Sequence, residues 1–435
     1  MHEQRVIGHN ARAWVVWGVG VSAYLMAFFH RVTLNVAAGE TAERLGVATG
    51  ALGLFAFLQI GAYLAMQLPA GFAADRIGPR RTLALGVLAI VVGETMFALA
   101  HALPVAVAGR ALVGVGDAVT FVNVLRLVQN WFPEKRQALL AALTGMAGGI
   151  GQLVATIPLE RSLTDLGWTL TFVITIGTAA AVGVLVLAVV RDRPPGVPAP
   201  QRDDHAPARA TLAAAWRRPT TRRAFYAHVG TLGPFAVVGA IWGVPYLEHT
   251  QDVGKSTAAS MMVATALTFT VCLPFVGMVG RCGPRARVAV LAVPGALQTI
   301  ALVALLTWPG TVAPRALVVG VLALIGLSAA ASISCFDVAR RSTPRAEVGS
   351  TVALVNCGGF TGAAIGGGLI GLLLAGDPTA GRFEVAVLGV LLVMTLVGLV
   401  AGSLRLLGEL TAQGQREAAR QPSQTPDTSP AAARS

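Results

Sequence analysis

Charge is scarce in this sequence, and so are the features that soluble chemistry needs. Of 435 residues only 12% are charged and 54% are hydrophobic, with a mean hydropathy of +0.68, which excludes a soluble globule. The four cysteines, Cys272, Cys282, Cys335 and Cys357, have no CxxC spacing, so neither a disulfide framework nor a cysteine metal site is expected. There is no Walker sequence, no cluster of metal ligands and no nucleophile motif, so the reading is no enzyme, no cofactor and no metal, with ATP not the driving force. Aromatics are 6%, and no basic stripe interleaves with them, which sets nucleic acid aside despite a formal charge of +12. Short alternating strands of the barrel kind are missing as well, leaving helices as the spanning element.

Long apolar runs are what the chain does have. They predict helices near 13–36, 48–70, 82–101, 105–130, 137–158 and 168–190, then 224–247, 256–279, 287–307, 313–335, 348–375 and 384–406. The first run continues well beyond a signal-peptide core and is expected to stay as a helix. Fifty glycines suit membrane helices that approach closely, and those at 145, 148, 149 and 151 and at 358, 359, 362 and 366 to 368 are candidates for letting two halves pack and rock.

The stretch Leu68 to Thr82, LPAGFAADRIGPRRT, organises the rest because an eroded copy, LPFVGMVGRCGPRA, begins 205 residues later at Leu273. Leu68, Pro69, Arg76, Gly78, Pro79 and Arg80 find the same residue types in the copy, whereas Asp75 is replaced by Gly280. Each copy sits between apolar runs and reads as a tight cytoplasmic turn, with Gly and Pro as breakers and arginines beside anionic headgroups. The internal repeat divides the chain into an amino-terminal bundle at 1–190, a basic Pro-rich linker at 191–223, a second bundle at 224–410 and a polar tail at 411–435. A short surface helix is expected around Ala213 to Trp216.

With GxxxDRxGxRR formed by Gly71, Asp75, Arg76, Gly78, Arg80 and Arg81, the turn resembles the signature loop of the major facilitator superfamily. That resemblance implies an all-α membrane protein of twelve transmembrane helices in two pseudo-symmetric six-helix bundles, acting as a monomeric secondary transporter. Asp75 is then expected to cap a helix of the second half or to pair with Arg126 or Arg136 when the cytoplasmic side is closed.

Charges inside the apolar runs need a reason, since each costs about 2.5 to 3.5 kcal/mol near the bilayer centre. Arg31, Glu94, Arg110 and Asp117 are the main ones, all in the first half. Tyr24, Phe28, Arg31 and Asn35 share one helical stripe. Arg110 and Asp117 share a face seven residues apart, about 10 Å along the axis. By depth, Arg31 and Arg110 both lie in the outer half and converge on one anion, with Asp117 nearer the midplane, or else they tie helices together through carbonyls or Glu94. HRVTLNVA at His30 to Ala37 and RxxxGxxDxxT from Arg110 are similar to the anion:cation symporters, the group of sialin and the bacterial sugar-acid importers. The resemblance implies that Arg31 holds a substrate carboxylate, that Asp117 takes the coupled proton and that Arg110 tunes the site. Asp117 stands where that group has Glu, and His30 where bacterial members often have Asp.

His30 and Glu94 are rival proton-coupling groups. Gln59 and Tyr63 with Gln67, Gln152, Trp242 and Tyr246, and Asn356 are candidates for lining the site. The expected partners are protons, lipid and a small anionic solute. A proton-driven exporter of drugs or metabolites and a non-transporting sensor are the competing readings.

With the amino terminus inside, 25 of the 33 Lys and Arg fall in cytoplasmic segments, five fall outside and three lie within helices, which places both termini in the cytoplasm of a cell-membrane protein. Alkaline phosphatase fused to the carboxyl terminus should be inactive and a green fluorescent protein there should fluoresce; an active phosphatase would reverse the orientation.

Overall fold

A computed structural model describes residues 11–196, 208–279, 283–310, 312–343, 348–375, 379–406 and 408. Ten of its helices are long and apolar enough to cross a membrane. The stretch Leu139–Val189 holds two crossings, because the chain breaks near 155 and again at Gly167, where φ is 74°. Leu52–Ile77 supplies another, so twelve spans lie among the described residues of an integral membrane protein. They are α1 (Ala11–Val36), α2 (Leu52–Ile77), α3 (Pro79–Ala98), α4 (Leu103–Trp131), α5 (Glu134–Val154) and α6 (168–189). The second set is α7 (Pro219–Thr250), α8 (Lys255–Val279), α9 (Pro284–Leu306), α10 (Arg315–Ala331, continued by Ile333–Arg341), α11 (Val348–Leu373) and α12 (Ala380–Val397, continued by Gly398–Leu404).

The repeated turn is tighter than its sequence suggests. Rather than ending near Pro69, α2 carries through it to Ile77, and Gly78 alone makes the reversal at φ 86°, with Pro79 opening α3. Gly283 and Pro284 repeat this at φ 134°. A membrane helix tolerates Pro69 because neighbouring groups re-satisfy the carbonyl that it frees, whereas a positive φ needs glycine. At Gly78 a Cβ would also run into the Asp192 carboxylate, whose Oδ1 accepts the Arg80 backbone N–H at 2.6 Å. The Arg80 guanidinium donates to the Leu187 carbonyl, and Asn130 and Trp131 donate to the carbonyls of Asp192 and Arg191. The first turn is therefore fastened to the end of α6. The linker helix is longer than expected, Ala208–Arg217, with Trp216 set edge-on against Phe225 at 5.1 Å.

In α7 the helix widens to i→i−5 bonding over Val238–Trp242, just before Pro245. Proline has no N–H and its ring crowds the preceding turn, which accounts for the bulge there. Val244 turns its backbone N–H to Asn35 Oδ1 on α1 at 2.9 Å, joining the two halves.

A longer seam between the halves runs along antiparallel α2 and α11. Gly53 abuts Gly371, where an added Cβ would come within 2.6 Å of the opposite Cα, and Phe57 packs on Gly368. Farther in, Tyr63 lies on Phe360, ring centroids 4.2 Å apart, and Asn356 donates to Gln67 at 3.3 Å. Lys255 pairs with Glu40, and Gly149 meets Thr270. In the orientation expected from the charge asymmetry, the Gly53–Gly371 end faces outward. Of the glycines proposed for gating, Gly149 and Gly368 sit on the seam, whereas Gly148 and Gly151 pack against α1 and Gly359, Gly362 and Gly366 against α7 or α12, inside one half. Gly371→Leu should wedge the seam apart. In a chain freed of its own cysteines, a Phe57→Cys reporter should then label faster with an impermeant maleimide added from outside.

Candidate functional site

Two guanidiniums occupy the interior of the first half, and their surroundings differ. The backbones of α3 and α4 touch where Gly93 meets Gly109, since a Cβ on either would come within 2.5 Å of the other's carbonyl oxygen. That crossing brings Glu94 against Arg110, Oε2 to Nη1 at 3.0 Å, with both side chains fully buried. Arg110 also donates through Nη1 to Thr33 Oγ1 at 3.0 Å, through Nε to Gln59 Oε1 at 2.9 Å and through Nη2 to the carbonyls of His30 and Arg31 at 2.9 and 3.3 Å. A guanidinium has five N–H donors, and all five are engaged. In this arrangement Arg110 has no donor left for a solute and holds α1, α2, α3 and α4 together.

Gln59 completes the lock by donating Nε2 to the Arg31 carbonyl at 3.0 Å. His30 lies on the same side, Nδ1 3.6 Å from Glu94 Oε1, and both of its buried ring nitrogens lack a hydrogen-bond partner.

Arg31 turns the other way. Its Nε donates to Asp117 Oδ2 at 2.6 Å and its Nη2 to Oδ1 at 2.9 Å, a bidentate pair. The sequence reading placed these residues at different depths and put Arg31 with Arg110. Side chains on a helix lean toward its amino terminus, and α1 and α4 run antiparallel, so Arg31 and Asp117 lean in opposite directions along the bundle and meet. The guanidinium lies over Phe28, Tyr63 and Phe360, 4.2, 5.0 and 5.3 Å from their centroids. Phe360 comes from α11, so the second half covers a charge pair held by the first. Arg31 keeps 11% of its side-chain surface exposed and Asp117 2%.

The remaining candidates fall into separate places. Tyr24 packs near Phe28 and Phe121, and Asn356 and Gln67 lie beside Tyr63. Asn35 is spent on Val244, and Gln152 sits against Gly239 of α7 with its Oε1 unpartnered. Trp242 donates to the Gly367 carbonyl at 3.0 Å and, with Tyr246, lines an apolar cavity inside the second half, away from Arg31. Of the gating motif, the side chains of Gly71, Asp75 and Arg76 lie outside the described residues, so the expected Asp75 contacts do too. Phe360, Phe121 and Thr33 went unnoticed in the sequence; an isolated Phe or Thr in an apolar run carries no signal.

A family model described as Major Facilitator Superfamily matches residues 20–248, more than half of the 435. The chain belongs to the major facilitator superfamily. In fold this member is similar to the D-xylose–proton symporter, with a TM-score of 0.70 at 13% identity over 90% of this chain and 97% of that one. It is also similar to a bacterial homologue of the human lysosomal transporter Spinster, with a TM-score of 0.68 at 15% identity over 94% and 99%. Among curated relatives, a protein of Agrobacterium vitis named for tartrate transport is 28% identical over 39% of this chain and 41% of its own length. One of Escherichia coli K12 named for galactarate and D-glucarate transport is 27% identical over 43% of each. One of Streptomyces coelicolor named for actinorhodin transport is 27% identical over 41% of this chain and 32% of its own. The matched part spans only about two fifths, or less, of those relatives' length. They are named as transporters, in keeping with the reading that this chain is no enzyme.

Glu94→Ala strips Arg110 of its hydrogen-bonded carboxylate, a loss of about 3 to 5 kcal/mol for a broken buried pair. Asp117→Asn leaves Arg31 with three ring faces and partial exposure, so thermal unfolding in detergent should show the larger drop for Glu94→Ala.

Proposed function

We propose that this chain is a secondary transporter that carries a small organic anion together with a proton, with Arg31 as the anion site and Asp117 as the proton site. The observation that carries this reading is the bidentate Arg31–Asp117 pair lying on the seam under Phe360. Arg31 engages both Asp117 oxygens, so a solute carboxylate and the ionised Asp117 compete for one guanidinium. A proton on Asp117 removes its charge and frees Arg31; the anion then takes its place. Each ligand thereby favours the other, and reciprocal linkage of this kind is symport. Burial and a neighbouring cation pull a carboxyl's proton affinity in opposite directions, so exchanging the cation's partner shifts the balance.

Relatives named for tartrate and for galactarate and D-glucarate transport support an organic anion. In this reading the bundles at 1–190 and 224–410 rock about the site, the linker at 191–223 joins them, both termini are cytoplasmic, and one chain holds the complete site. His30 and Glu94 stay behind the Arg110 network as structural groups. The aromatic surroundings of Arg31 and the relative named for actinorhodin transport favour a second reading with the same site, export of a metabolite against proton entry.

In proteoliposomes with an internal pH dye, wild type should acidify the lumen when the transported carboxylate is added outside. Asp117→Asn should bind the carboxylate without moving protons, and Arg31→Ala should do neither. Proton-coupled uptake surviving in Asp117→Asn would remove Asp117 from the mechanism; outward proton movement on adding a solute would favour the exporter.

A further inference from the structure

The surroundings of Arg31 narrow the class of anion, an inference that rests on the reading of Arg31 as the anion site. Next to the Arg31–Asp117 pair, four helices present a ring. On α1 these are Phe28 and Tyr24, 5.9 Å apart, and on α4 Phe121, 5.1 Å from Tyr24. On α2 and α11 they are Tyr63 and Phe360, 4.2 Å apart. Two of the chain's four tyrosines and three of its sixteen phenylalanines gather here.

Positive charge at the site, by contrast, amounts to one guanidinium among the described residues. Arg110 has all five donors engaged within the first half. Arg126 follows Asp117 by nine residues, which at about 100° per residue turns it to the opposite face of α4. A diacid would set its second carboxylate among ring faces, which carry negative potential and offer no N–H donor. The neutral donors beside Tyr63 are the amides of Gln67 and Asn356, and the buried Gln67 Nε2 makes no hydrogen bond within 3.5 Å. It suits a hydroxyl or carbonyl oxygen, not a second charge.

We propose that the transported anion is a monocarboxylate with an aromatic or bulky apolar body. Its carboxylate takes Arg31, its body lies among Phe28, Tyr24, Phe121, Tyr63 and Phe360, and a polar oxygen at its far end meets Gln67. Diacids and polyhydroxylated acids, the compounds for which several relatives are named, fit poorly.

The test is calorimetric binding to the purified full-length protein at mildly acidic pH with phenylacetate, D-galactonate and tartrate, which separate body from charge. Phenylacetate should bind at least about tenfold more tightly than the other two. Phe360→Leu and Tyr63→Leu should each weaken it roughly three- to tenfold, the worth of one ring contact. Phe360→Tyr should restore binding, and Arg31→Ala should abolish it, with melting temperatures checking that each variant is folded. Tighter binding of tartrate or D-galactonate, lost in Arg31→Ala, would overturn the narrowing and leave the anion site standing. If no carboxylate binds and a lipophilic cation such as tetraphenylphosphonium does, the anion reading fails and this inference with it.

Discussion

A guanidinium in lipid must be surrounded by acceptors or rings, and this chain meets that requirement in two opposite ways. Arg110 is enclosed on all sides by one carboxylate, one amide, one hydroxyl and two carbonyls of its own half. Removing any of them leaves a buried donor unmade, so the arrangement is fixed. Arg31 depends on one carboxylate and on ring faces drawn from both halves. Such a charge has partners that can be exchanged without breaking a bundle, and the site is built on that difference.

The surrounding fold keeps the exchange local. Within each half, glycine crossings such as Gly93 on Gly109 and Gly230 on Gly398 bring backbones into contact, which makes the bundles stiff. Between the halves the contacts are of mixed kind: an amide held by Asn35, an ion pair of Lys255 with Glu40, and the α2–α11 seam that starts at the Gly53–Gly371 crossing and ends in Phe360 and Asn356. A solute that displaces Phe360 from Arg31 acts on that seam directly. Under the proposed function, binding and the relation of the halves are coupled through one ring.

Much of this was legible without coordinates. Apolar runs, the repeat at 68 and 273 and four interior charges indicated the twelve spans and the half that holds the charges. Other readings needed correction. Leu68 to Thr82 shrank to a reversal at Gly78, because a proline in a membrane helix is no reliable stop. Depth along two helices suggested that Arg31 stood with Arg110, yet opposed side-chain lean carried it to Asp117. Trp242 and Tyr246 share a polar-looking stripe but face a cavity inside the second half.

Hydropathy and helical periodicity act over some twenty residues, so the sequence by itself determined the spans and which residues share a face of one helix. Which faces meet was decided by tertiary structure, since the contacts that make the site join Arg31 to Asp117 across 86 residues and Tyr63 to Phe360 across nearly 300. The physical reason is that one helix specifies a stripe, whereas the partner of that stripe depends on crossing points set by small residues and on side-chain reach at the crossing. The division between a locked arginine and an exchangeable one is a property of the packed bundles, and the two residues look alike in the sequence.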